Sequence, residues 1–145
     1  MTLAALLSEN GFRQIPLTRS GVGHFHAAGA LNGRSVAVLI DTGAASTIVS
    51  VALARASGFQ VQRLDVTGGG AGGASLEIFQ VLDATLSLGD VTPRLRALLA
   101  MDFAHVNESL ALKGEAPVDV ILGADVLEVH AAVIDYGSSS LFLKV

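Results

Sequence analysis

Apolar residues in this chain come in short runs punctuated by Gly, Asn, Asp, Ser and Pro, and few of them recur at helical spacing. That rhythm predicts a mainly β protein. Phe12 to Leu17 reads as a strand ending near Pro16. Gly23 to Leu31 and Arg34 to Ile40 read as two more, joined by Asn32-Gly33, a dipeptide suited to the positive φ angles of a tight hairpin turn. The run from Val36 to Ile40 is apolar at every position, so both of its faces are expected to be buried. Further strands are predicted at Val61 to Val66, Leu76 to Val81, Ala84 to Leu88, Leu95 to Ala100, Val118 to Leu122, Ala131 to Ile134 and Leu141 to Val145. Helical spacing is confined to Met1 to Asn10, where Leu3, Leu6 and Leu7 share a face ahead of Gly11, to Ser50 to Ser57, and to Asp125 to His130. Met101 to Pro117 is polar and irregular and reads as a surface loop with at most a helical turn.

One echo runs through the pattern. VAVLIDTG in the first half and VDVILGAD in the second are each a buried strand, a glycine-marked turn and a short helix, which hints at two related halves. With 145 residues the chain has room for one domain, expected over 12–145 behind a helical extension at 1–11. Apolar residues make up 51% and charged residues 15%, enough to form a core and few enough to leave surface for a subunit interface. A net charge of −4 with no basic run argues against a nucleic-acid partner. No apolar run reaches the length of a membrane span, so no membrane partner is expected; the N-terminal stretch lacks a basic flank, so a cytoplasmic location is the default expectation. The absence of cysteine removes disulfides, thiolate metal sites and Cys nucleophiles.

The candidate chemistry begins at Asp41-Thr42-Gly43, directly after the buried strand. A carboxylate emerging from five apolar residues is poorly solvated and is a candidate acid or base. Gly43 lets the chain turn tightly and brings backbone N–H groups near the carboxylate, while Thr42 offers a hydroxyl that can bond across an interface. On its own the tripeptide also fits an ordinary strand-ending turn. Its wider setting decides: Leu39-Ile40, Asp41 to Ala44, Ser46-Thr47, and then Ile121-Leu122-Gly123, Leu127 and Ile134-Asp135-Tyr136. Together these segments, within a stretch from about Gly23 to Phe142, resemble the retropepsin-like aspartic proteases, in particular the retroelement and bacterial branch.

The resemblance implies a closed or nearly closed acid-protease barrel with one short helix after Gly123. It also implies an aspartic endopeptidase whose catalytic residue is Asp41, supported by Thr42 and Gly43. Two facing carboxylates that share a proton are needed, and the chain has one DTG, so a homodimer acting on a peptide or protein substrate is expected, with no cofactor. Substrate would lie along Ala44, Ala45 and Ser46, beneath a flap formed by the glycine-rich stretch and contacting it through Gly69, Gly70 and Gly72. Apolar walls imply a preference for hydrophobic residues beside the cut. Retroviral members commonly carry Asp where Ala45 stands, and the departure supports an alternative: a catalytically silent domain used for dimerisation or peptide binding. Ala44 lacks the hydroxyl a Ser would offer the carboxylate, and an activity optimum nearer neutral than in a DTGS relative is expected.

Other signals are weaker. Gly68 to Gly73 satisfies a dinucleotide-binding pattern, but an alternating, strand-like segment follows instead of a helix. His24 and His26 lie two apart on one strand face, a spacing that can bind zinc, yet nothing adjacent in the sequence supplies a third ligand, and no metal site is expected. Asp125 reads as a helix cap and Asp135 as a turn residue. No nucleophile elbow accompanies Ser46, Ser50 or Ser57.

Overall fold

The computed structural model describes residues 1–69 and 75–145. The chain opens with helix α1 (Leu3–Glu9), whose cap Thr2 accepts from the Ala5 N–H. Strands β1 (Phe12–Pro16), β2 (Thr18–Arg19), β3 (Phe25–Leu31), β4 (Arg34–Ile40) and β5 (Ile48–Ser50) follow, then α2 (Val51–Ala56). Next come β6 (Val61–Gly69), β7 (Ser75–Val81), β8 (Leu86–Leu88), β9 (Leu98–Met101) and α3 (Ala104–Leu112). The chain finishes with β10 (Val120–Leu122), α4 (Ala124–Val129), β11 (Val133–Asp135) and β12 (Ser140–Lys144).

The main sheet runs β2-β3-β4-β10-β5-β9-β7-β6, with β8 paired to β3 beside this path, and a second sheet runs β1-β12-β11. Neither sheet closes into a ring, which corrects the expected barrel. Among the described residues β2 pairs only with β3 and β6 only with β7, so the ends of the large sheet do not meet. The core is sealed instead by the small sheet, which contributes Ile15, Leu141 and Leu143 to the same apolar cluster as Val36, Val38, Val120 and Leu122. Helix content departs as well, with four described helices in place of the single one implied for the barrel. α3 occupies the stretch expected to be a loop. It buries Leu110 against Phe103 and Val118, and the Asn107 side chain ties it down by accepting from the Val118 N–H at 2.9 Å and donating to the Val118 carbonyl at 3.3 Å.

The β3–β4 hairpin turns at Asn32 and Gly33 with φ of +47° and +82°, as the dipeptide predicts. The Asn32 amide pins the turn by accepting from the Thr85 N–H at 2.6 Å and donating to the Asp83 carbonyl at 3.0 Å. Gly29 is required by packing, since a Cβ there would lie 2.9 Å from Val38 Cγ2 and 3.0 Å from the Ser87 carbonyl. The two echoing segments lie side by side: β10 pairs parallel with β4, Val120 opposite Val38, Ile121 opposite Leu39 and Leu122 opposite Ile40. Val36 and Val38 face the main core, while Leu39 and Ile121 pack on the cluster beneath α3.

Candidate active site

The chain leaves β4 at Asp41, whose N–H donates to the Leu122 carbonyl at 3.0 Å and so stays beside β10. A tight turn follows. The Ala44 N–H donates to the Asp41 carbonyl at 3.2 Å, and the Gly43 N–H donates to Asp41 Oδ1 at 2.9 Å. Thr42, Gly43 and Ala45 are exposed, whereas Asp41, Ala44 and Ser46 are half-buried. The carboxylate is therefore less enclosed in the single chain than its apolar run predicts, because β4 ends one residue before it and the tip of the turn, Thr42 and Gly43, is exposed. Thr42 lines an open, mostly apolar groove with Ala124, Leu127, Ala132 and Ile134.

Beneath this turn the loop crosses the start of α4. The Ala44 carbonyl accepts from the Ala124 N–H at 2.7 Å, and the Ala45 carbonyl accepts from the Asp125 N–H at 3.2 Å. Only glycine fits at position 123, where a Cβ would stand 2.7 Å from the Ser46 carbonyl oxygen and 2.8 Å from that of Ala44. Thr47, fully enclosed, locks the crossing: its hydroxyl donates to Asp125 Oδ1 at 2.7 Å and accepts from the Gly123 N–H at 3.1 Å. The Thr47 N–H donates to Asp125 Oδ2 at 3.0 Å. This corrects the reading of Asp125 as a helix cap. Gly123 takes the cap position, and the carboxylate two residues on faces Thr47 and the Val126 N–H. The sequence signal for the pair was weak, an Asp and a buried Thr that lie 78 residues apart.

Of the expected substrate-facing residues, Ala44 and Ala45 belong to the turn, while Ser46 lines a separate depression with Leu95, Leu99 and Asp125. Gly69 ends β6, opposite Ser75 in the β6–β7 hairpin. Gly70 and Gly72 lie outside the described residues. Asp135-Tyr136-Gly137 repeats the local form of the Asp41 turn, with the Gly137 N–H donating to Asp135 Oδ1 at 3.0 Å. The Ser138 hydroxyl, donating to Asp135 Oδ2 at 2.6 Å, and behind it the Gly137 N–H hold this carboxyl below its usual range. Asp135 is the last residue of β11, opposite Ser140 of β12, and its carboxylate braces the turn over 136–139 that follows.

Sequence reasoning missed one cluster. His24 and His26 were expected to lack any third ligand, but the connection from α3 to β10 brings Glu115 to them, 91 residues from His24, with ligand atoms of all three within 4.8 Å of one another. Burial holds the His26 imidazole below its usual pKa, an effect opposed by the Glu115 charge and reinforced by His24. No nearby sequence signal marks Glu115, because the contact is made by the tertiary fold.

Residues 27–126 match the family model described as aspartyl protease, and the chain belongs to that family. No curated protein gives a match to the chain. Its fold is retropepsin-like. It is similar to the retropepsin-like aspartic protease from Rickettsia conorii (17% identity, 91% of this chain and 90% of that one, TM-score 0.57). It is also similar to the retroviral protease-like domain of Ddi1 from Leishmania major (19% identity, 81% and 86% covered, TM-score 0.56). A third similar structure is the EIAV protease complexed with the inhibitor HBY-793 (22% identity, 81% and 98% covered, TM-score 0.57).

Proposed function

We propose that the chain is an aspartic endopeptidase that works as a homodimer, each subunit supplying one Asp41. The observation that carries this reading is the Asp41 turn itself: a carboxylate fixed by the Gly43 N–H, with Thr42 and Gly43 exposed at its tip, on a backbone crossing sealed by Thr47 and Asp125. A half-buried acid held in a turn whose tip is exposed suits a twin across a two-fold axis. The apolar groove beside Thr42 supports the same reading, since it offers surface for a partner to cover.

In the dimer the two Asp41 carboxyls share one proton, because like charges in contact do not both ionise. The ionised member acts as general base on a water held between them, and the protonated member polarises the scissile carbonyl. A tetrahedral intermediate forms without a covalent bond to the enzyme, and a proton passes to the leaving amine. The β6–β7 hairpin supports a flap over an extended substrate, which would add backbone hydrogen bonds as a further strand.

Digestion of a random peptide library by the parent chain and by Asp41→Asn, with sedimentation measured in parallel, tests the proposal. Cleavage lost in the variant and a two-chain mass support it. A persistent monomer, or cleavage that survives in the variant, overturns it. A dimer that never cleaves favours the silent-domain alternative, which exposed Ala45 in place of a substrate-binding acid supports.

A further inference from the structure

The cluster formed by His24, His26 and Glu115 lies apart from the hydrogen bonds that organise the Asp41 turn. Glu115 comes from the connection between α3 and β10, and its side chain is only 8% exposed. Its Oε1 and His24 Nδ1 stand 3.4 Å apart, yet among the described residues neither atom has a hydrogen-bond partner. A carboxylate oxygen shut away from water without a donor is costly, and a positive charge, on the His24 ring or on a bound cation, offsets that cost.

We infer that His24, His26 and Glu115 form a site for a zinc-type divalent cation.

Geometry supplies the first support. Two ligands on a tetrahedral ion with bonds of about 2.0–2.1 Å are separated by about 3.4 Å, the spacing already present between His24 and Glu115. All three candidate ligand atoms fall within 4.8 Å of one another, a set compact enough to close on one ion. Chemistry supplies the second. Two imidazoles and a carboxylate are a borderline donor set that prefers zinc to magnesium or calcium, and three protein ligands leave a fourth position for water. Access supplies the third, since the His24 side chain is 38% exposed although its Nδ1 is covered, which places the cluster just beneath the surface.

The site's position gives it a structural consequence. His26 sits opposite Leu39 in the β3–β4 pair, and Asp41 lies two residues further along the same chain, so the cation would bind on the order of 10 Å from the catalytic turn. It would join the start of β3 to the segment that enters β10, the strand whose Leu122 carbonyl holds the Asp41 N–H.

The test uses the untagged full chain freed of metal by chelation, titrated with Zn2+ by calorimetry and with Co2+ by visible absorption. The expected result is one Zn2+ per chain, a four-coordinate Co2+ spectrum, and a melting temperature raised by about 5 °C or more at a hundredfold excess over Kd. Glu115→Gln and His26→Ala should each weaken binding by more than about a hundredfold, and His105→Ala, on an exposed face, should leave it unchanged. Circular dichroism of the metal-free variants checks folding, and Glu115→Gln, which keeps the side-chain shape, carries the test if His26→Ala does not fold. Absence of saturable one-to-one binding by the parent, or equal affinity in Glu115→Gln, overturns the assignment. Neither result bears on the peptidase reading, which the Asp41 experiments test separately.

Discussion

Replacing Thr47 with Val removes one oxygen and keeps the shape. In the fully enclosed site this deletes the hydroxyl that donates to Asp125 Oδ1 at 2.7 Å and leaves the Gly123 N–H, 3.1 Å away, without its acceptor. A hydrogen bond to a charged group is worth about 1.5–3 kcal/mol, and a buried donor left unsatisfied costs about 1–3 kcal/mol. The expected loss is therefore about 4 kcal/mol, a large share of the 5–15 kcal/mol typical of a domain. Thr47→Ser keeps both hydrogen bonds and gives up one methyl, at about 1 kcal/mol. Hydrophobic transfer alone predicts the opposite order, with Val the better residue in a dry site, so the pair of variants separates the two effects. Urea unfolding at one fixed protein concentration, which holds any association term constant, measures both. Amide exchange at Gly123 should accelerate in the Val variant alone. A Val variant as stable as the Ser variant, or more so, refutes the idea that this hydroxyl locks the crossing beneath Asp41.

Asp41→Asn should leave unfolding free energy within about 0.5 kcal/mol of the parent, because among the described residues its carboxylate accepts only from the exposed Gly43 N–H, while peptide cleavage falls about 10³-fold or more; urea titration and a peptide assay read the two effects. Gly29→Ala forces a methyl to within 2.9 Å of Val38 and should cost about 1–3 kcal/mol, whereas Gly21→Ala, with open space around it, should be near neutral in the same titration. His130→Ala should destabilise by about 3 kcal/mol in urea, since the buried ring accepts from the Arg94 N–H at 2.9 Å through Nε2 and so donates through Nδ1 to the Lys144 carbonyl at 2.8 Å. Ser138→Ala should raise the titration midpoint of Asp135, followed by carboxyl NMR, because it removes the main hydrogen bond favouring the charged form. A lowered folded-state pKa of this kind supports folding above the ordinary carboxylate range and loses that support as pH falls through the folded value.

Much of what positions the site was legible because it rests on local chemistry. Asn32-Gly33 encodes its own turn; the apolar run before Asp41 encodes a strand, but of the two faces expected to be buried only one is, the other being half-covered. The echo between VAVLID and VDVILG proved to be a physical pairing, since equivalent residues of β4 and β10 lie opposite one another. What escaped depended on distant partners. Helix α3 has only a weak apolar stripe, and it is held by Leu110 in a small cluster and by Asn107 clasping Val118. The open sheet, expected as a barrel, follows from packing by the terminal strands, which strand patterns alone do not reveal. Asp125 looked like a cap because Asp near a helix start usually is one. Gly123 holds the cap position instead, because the crossing loop leaves no room for a side chain there.

The β1–β12 pairing has a consequence for synthesis. Phe12 lies opposite Lys144 and Pro16 opposite Ser140, so the first strand emerges from the ribosome long before its neighbour has been translated. At about 5–20 residues per second the wait is on the order of 6–25 s, during which β1 is an open edge available to any extended segment nearby. Slowing elongation in the final third of the message should therefore lengthen that exposure and lower the soluble yield, while chaperones that shield nascent strands should restore it.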